Sequence, residues 1–185
     1  MRKLIMWNVV TLDGRFEGEK AWDLSFHEQV WGPELEAFSI SQLEEASALV
    51  FGEHTYKGMA EYWPHAEGAD LKVSSYMNTI PKIVCSHTRE KVEWNNTTIV
   101  RDAETEIKRL KEEEGGPMFV FGSGILSESL MNARLYDEIR ICVAPTILGK
   151  GRQLFTDTYK ERNLTLLEAR PLQNGGVILR YAVVN

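Results

Sequence analysis

The sequence predicts an α/β protein: a mostly parallel mixed sheet with helices on both faces, finished by a C-terminal antiparallel hairpin. Three observations carry this reading. A short apolar segment runs through glycine into a helical pattern twice, at Ala46–Phe51 with Gly52 and at Met118–Phe121 with Gly122-Ser123-Gly124. From Glu138 to Ala144, Ile139, Ile141 and Val143 alternate with Arg140 and Cys142, as in a strand with two different faces. Two later strand-like runs, Leu164–Arg170 and Val177–Val184, flank Gln173-Asn174-Gly175-Gly176, a hairpin signal.

The elements follow in order. Lys3–Val10 is apolar on both alternating faces and predicts a strand covered on both sides. A turn at Asp13-Gly14 and a loop containing Gly18 follow. Phe26–Phe38 has helical character interrupted at Gly32-Pro33, so Pro33 opens a new helix at its first position. The strand Ala46–Phe51 leads through Gly52 into a helix at His54–Tyr62. Lys82–Ser86 and Thr97–Val100 are further short strands. Asp102 caps the next helix, in which Ile107 and Leu110 face inward and Glu104 pairs with Lys108, and Gly115-Gly116-Pro117 ends it. After Met118–Phe121, Leu126, Leu130 and Ala133 recur at helical spacing.

No repeat or linker divides the 185 residues, so a single domain over 1–185 is expected. With 43% hydrophobic and 26% charged residues the chain has the composition of an ordinary globule, and a net charge of -6 argues against nucleic-acid binding. No run reaches the ~18 apolar residues needed to span a bilayer, and the start lacks a small-residue cleavage pattern, so a cytoplasmic protein is expected. Cys85 and Cys142 make no disulfide framework. His27, His54, His65 and His87 lack ligand spacing, and no metal site is expected. The five tryptophans read as core or pocket wall.

In an open α/β sheet, ligands bind beyond the carboxyl ends of the strands. Gly122-Ser123-Gly124 lets an anion approach backbone amides at a helix start, and Gly52-Glu53-His54-Thr55 adds a hydroxyl and an imidazole at another. The spacing for a dinucleotide fingerprint is missing after Gly124, and no G-x-S-x-G elbow is present. Asp13, Asp23, Glu34 and Glu36 lie in or beside the early loop, where a carboxylate could hold a proton or simply face solvent.

Leu12-Asp13-Gly14, then Leu49–Tyr56, Ile83–Ser86, Phe121–Gly124, Leu135–Glu138 and Pro145–Gly151 with Leu154-Phe155 occur in an order that resembles the dihydrofolate reductase superfamily. The closer likeness is to the branch that includes the reductase domain of bacterial riboflavin-biosynthesis deaminase-reductases. The resemblance implies a dihydrofolate-reductase-like fold with NADPH along the carboxyl edge of the sheet. Gly52, His54 and Thr55 would meet phosphates from one helix start, and Gly122, Ser123, Gly124 and Leu126 from the other. Ser86 and His87 would flank the adenosine, while Val9 and Val10 with the Asp13-Gly14 loop would border the nicotinamide. Relatives usually carry a base after the first glycine and Gly-Gly at the second turn, where this chain has Glu53 and Gly122-Ser123. Glu53 has the wrong sign for a 2′-phosphate, and His54, His87 and Arg89 are the cations expected to compensate, giving a modest preference for NADPH.

The implied activity is hydride transfer from NADPH to a small pterin-like or pyrimidine-like substrate of riboflavin-pathway type, by an oxidoreductase without the deaminase domain and its zinc motif. The alternative is a nucleotide-binding protein of the same fold without turnover. Counting back from Gly52 by the family's spacing places the catalytic acid at Glu36, with Asp13 and Glu34 in reserve. Relatives imply a homodimer, which would also pair exposed strand edges in the tail.

Overall fold

A computed structural model describes residues 1–68 and 71–185. The central strand, β1 (Leu4–Thr11), is buried along nearly its whole length, as an apolar run with β-branched residues demands. After it come the short β2 (Arg15–Glu17), a 3-10 turn at Ser25–Gln29 and α1 (Pro33–Glu45), whose first position is the expected proline. This helix continues past Phe38 through Leu43, because Ile40 and Leu43 keep burying apolar surface. Then follow β3 (Ala48–Gly52), α2 (Glu53–Tyr62), α3 (Leu71–Thr79), β4 (Lys82–Cys85) and β5 (Thr97–Val100). The second half runs α4 (Ala103–Glu112), β6 (Met118–Phe121), α5 (Gly124–Asn132), β7 (Glu138–Ala144), β8 (Arg152–Gln153), β9 (Leu164–Pro171) and β10 (Val177–Val183).

Eight of these strands form one sheet in the order β5-β4-β3-β6-β1-β7-β10-β9. All pairings from β5 to β7 are parallel, and β10 is antiparallel to both neighbours, so the predicted mixed sheet with its terminal hairpin is present. Helices cover both faces. Leu4, Met6 and Val10 of β1 pack with Ile107 of α4 and Leu130 of α5, whereas Ile5 packs with Leu43 of α1, Tyr56 of α2 and Met77 of α3. A separate ribbon pairs β2 with β8.

One local expectation changes. Glu104 does not pair with Lys108; it accepts the Ser129 hydroxyl of α5, and Arg109 holds Glu106 and Glu113 instead. The polar face of β7 is not solvated. Arg140 and Cys142 are buried, and Arg140 is satisfied there by Glu138 at 2.7 Å and Glu45 at 2.5 Å.

Register opens the sheet at one place. β6 pairs with β1 only as far as Phe121 opposite Trp7, while β1 continues beside β7 to Thr11. From Asn8 onward, β1 has therefore lost its β6 neighbour. Gly52 ends β3 directly opposite Cys85 of β4, so the carboxyl ends of four adjacent strands border one crevice. Among the described residues no helix is long and apolar enough to cross a membrane.

Candidate active site

A cleft of about 1120 Å³ lies along this edge. One half follows the glycine turns and the ends of β4 and β5; the other runs under α1, the Ser25–Gln29 turn and α3. Of the residues assigned from sequence to cofactor binding, Val9, Gly52, His54, Thr55, Ser86, His87, Gly122, Ser123, Gly124 and Leu126 all line it. Val10 does not, because strand alternation turns it into the core beside Met6.

The two glycine turns are bolted to each other. Ser123 donates its backbone N–H to the Thr55 hydroxyl at 3.0 Å, and Gly52 donates its own to the Ser123 hydroxyl at 2.9 Å. Those two hydroxyls thus fix geometry. Gly122 has φ +56°, and a Cβ there would press on Thr55 at 3.2 Å; a Cβ on Gly124 would meet Phe16 at 3.0 Å. Neither α2 nor α5 has a side-chain cap at its N-terminus, so their first-turn N–H groups are left for a ligand. By contrast α4 is capped by Asp102, which accepts from Thr105. The cradle therefore fits a phosphate ester, offering amides and a helix-dipole end without an occluding side chain.

Charge is arranged differently from the expectation. Arg89 is not on the cleft: Glu53 grips its guanidinium with both oxygens at 2.8–3.1 Å and Glu93 takes another nitrogen at 2.8 Å. The Arg89 hydrogen bonds hold the Glu53 carboxyl below its ordinary range. Glu53 is thus neutralised locally, and Arg89 is spent in doing so. A permanent cation at this end is Arg101, which follows β5 and donates to the Ser86 carbonyl at 2.8 Å, with Asp102 and Glu104 also lining the cleft. Ser86 itself uses its hydroxyl to accept the N–H groups of Thr88 and Arg89, shaping the turn that carries His87.

Neither proposed acid reaches the cleft. α1 turns Leu35, Ser39, Gln42 and Leu43 toward it, spaced for one helical face, and Glu36 lies roughly 100° around from Leu35. Glu34 accepts from the Gln173 N–H on the outside. Asp13 is a clamp: it accepts from the Thr11 hydroxyl at 2.6 Å and the Leu148 and Gly149 N–H groups, tying the Pro145–Gly151 segment to the first turn. The Thr11 bond is the chief reason its carboxyl falls to about 2, which leaves no proton to give near neutrality.

The buried carboxylate of the cleft is Glu17, held by Arg152 at 3.0 Å and the Trp22 N–H at 2.7 Å. The loop after β2 lays Trp22 over α2, where its ring stacks on His54 at 5.4 Å and occupies the space above Gly58 that any side chain would fill. In the other half, Trp7, Trp31 and Trp63 give flat apolar surface, with Phe38 packed behind Trp7 at 5.3 Å. Three side chains there or at the sheet edge, Asn8, His27 and Gln42, carry buried nitrogens without any hydrogen-bond partner. Burial pushes the His27 imidazole down to about 4, so it is neutral. Sequence reading passed over Asn8 and Gln42 and weighed His27 only as a metal ligand. The available signal was a polar amide inside the apolar run Leu4–Val10 and another on the buried face of α1.

An open, mostly parallel sheet with a cleft and two uncapped helix starts at its carboxyl edge has its candidate site where open α/β proteins bind ligands. The chain matches the RibD C-terminal domain over residues 2–178 and belongs to that family. Bacillus subtilis YyaP is 25% identical across 97% of this chain and 94% of its own length. A Shewanella sp. PV-4 protein provisionally assigned to riboflavin biosynthesis superposes with a TM-score of 0.81 at 18% identity, covering 99% of both chains. A Thermotoga maritima diaminohydroxyphosphoribosylaminopyrimidine deaminase/5-amino-6-(5-phosphoribosylamino)uracil reductase superposes at 0.68 with 13% identity, over 99% of this chain and 57% of that one. Enterococcus faecalis dihydrofolate reductase, solved with NADP(H), does so at 0.64 with 13% identity over 99% and 97%. The dihydrofolate-reductase-like fold expected from the motif order is therefore the fold of this chain.

Proposed function

We propose that the chain is a reductase that holds NADPH along the carboxyl edge of its sheet and passes hydride to a small pterin-like or pyrimidine-like compound seated against α1. The observation that carries this reading is the gap beside Asn8, where β6 stops and two uncapped helix N-termini converge on glycine turns. Family membership and the NADP(H) bound by a protein of the same fold support it. A bound nicotinamide supplies the hydride; the protein's own part is binding, orientation and exclusion of water. The first-turn amides of α2 and α5 hold the pyrophosphate, Arg101 and His87 face the adenosine end, and Val9 with Trp7 borders the ring.

Calorimetric titration with NADPH and NADH, joined to cofactor oxidation over a panel of dihydropterins and aminopyrimidines, tests the reading. Gly122→Val should abolish cofactor binding while the far-ultraviolet circular dichroism stays unchanged. NADPH should bind about tenfold tighter than NADH, ~1.4 kcal/mol, and Arg101→Ala should narrow that margin. Undiminished affinity in Gly122→Val would place the cofactor elsewhere.

A further inference from the structure

The two halves of the cleft differ in charge. The charged side chains stand along the glycine-turn half: His54, Lys57, His87, Arg101 and Arg152, together with the carboxylates Glu17, Glu53, Asp102 and Glu104. On the wall made by α1 and α3 the cleft-facing side chains are Leu35, Ser39, Gln42, Leu43, Val73 and Met77, with neither a cation nor a carboxylate among them. A phosphate placed there would lose its hydration without a compensating charge. An amidine-like N–C–NH2 edge, which offers two donors side by side, would find no carboxylate to accept them.

What this wall offers is an unmet donor. Gln42 is 1% exposed, and its Oε1 must face Arg140, which can only donate; the amide Nε2 is therefore the end left without a partner. Asn8, 6% exposed at the edge of the gap, also has an unpartnered Nδ2, but it shares the face of Met6 and Val10 and so lies across the sheet from α1. Neutral His27 adds an unpartnered Nε2. Buried polar groups rarely go unmet in a native protein, and the Gln42 amide, which can only donate through Nε2, points with the unmet His27 nitrogen to a ligand on this wall.

We infer that this half binds a flat, uncharged compound whose edge presents hydrogen-bond acceptors, such as a conjugated dicarbonyl ring, bearing neither a phosphate nor an amidine. The tryptophans cover its faces and the Gln42 amide reads its edge. This narrows the acceptor class of the reductase reading, on which its role as hydride acceptor rests, whereas the binding preference stands on the wall alone.

Two bicyclic probes that share a pteridine ring test it by calorimetry. Lumazine carries carbonyls where 2,4-diaminopteridine carries amino groups, and lumazine should bind about tenfold tighter. Gln42→Leu should shrink that ratio toward one. Ser39→Glu, at a half-exposed position, should invert it by giving the wall a carboxylate, and thermal melts report whether each variant is folded. Uridine should displace lumazine at least as well as uridine 5′-monophosphate does. Tighter diaminopteridine binding in the unaltered protein, better displacement by the phosphate ester, or an unchanged order in folded Ser39→Glu would overturn the inference. If lumazine is preferred but no nicotinamide cofactor binds, the subsite stands and the reductase reading falls; if NADPH binds without the lumazine preference, the reverse holds.

Discussion

Two clusters of buried polar side chains meet at Gln42 and could hardly be more different. Beneath α1, Glu138 and Arg140 pair at 2.7 Å, Arg180 joins Glu138 at 2.8 Å, and Glu45 and Glu168 complete the set. On the same side of the sheet Gln42 and His27 keep nitrogens with no partner, and Asn8 does so on the other face of β1. Burying a polar group without a hydrogen bond costs about 1–3 kcal/mol. A fold that satisfies its ions so fully under β7 has no packing reason to leave the Gln42 Nε2 unmet when its Oε1 lies 3.4 Å from Arg140. The first cluster holds the sheet together, and the second is kept for a visitor.

The sharpest way to break the comparison is to disrupt the satisfied cluster. Glu138→Leu alone, or Arg140→Met alone, should destabilise the protein by about 3 kcal/mol, because each strands a buried charge. The double variant should recover most of that loss, since an apolar pair needs no partners. Urea unfolding of the three variants measures it, and a double variant no more stable than the singles would remove the argument. The same cluster sets an acid limit. Burial raises the Glu138 pKa, but the bonds from Arg140 and Arg180 outweigh it and the net shift is downward from 4.5. A carboxyl with a depressed folded pKa contributes stability above its unfolded pKa and loses it as pH falls through the folded value. The loss therefore begins below about pH 4.5.

His27 gives the middle effect, in a different pH window. Its folded pKa is about 4 against 6.5 for an ordinary imidazole, with burial as the cause. The unfolded chain takes up the proton first. Stability is then full above pH 6.5 and declines as pH falls toward 4, by on the order of 2 kcal/mol after allowing for partial solvation. His27→Phe should flatten the stability curve between those values. A variant whose melting temperature still falls as steeply from pH 7 to pH 5 would assign the titration to another group.

Most of the fold was legible because it is written in period and punctuation. The strands at Thr97–Val100, Met118–Phe121 and Glu138–Ala144 coincide with their sequence assignments, and Asp102 caps α4 as expected. α3 was missed because only Val73, Ser74 and Met77 are buried on it, too few to show a helical period. The β2–β8 ribbon was missed because strands of three and two residues are too short to establish a period. In the site, glycine turns were readable since glycine itself is the signal. Glu36 was not, because a spacing along the chain fixes distance and not the helix face. Asn8 and Gln42 are informative only through the partners they lack, and that is decided by tertiary packing.

The smallest expected effect sharpens the comparison most. If Asn8 and Gln42 were structural, truncating them would cost what truncating a hydrogen-bonded buried amide costs, about 1–2 kcal/mol. If they are kept for a ligand, the free protein already bears the penalty of an unmet donor, and removing that donor relieves it. Asn8→Ala deletes an unpartnered Nδ2 next to a cleft, so any space it leaves opens to solvent and not into a sealed core. Gln42→Leu keeps the volume, deletes the unpartnered Nε2 and gives up only a 3.4 Å contact to Arg140, which retains Glu138 and Glu45. Both variants should therefore melt within ~0.5 kcal/mol of the parent or slightly above it, while Gln42→Leu lowers ligand affinity in the α1 half. Unfolding curves on ligand-free protein decide the matter: a loss beyond 1 kcal/mol in both variants would make these amides part of the scaffold and erase the distinction between the two clusters.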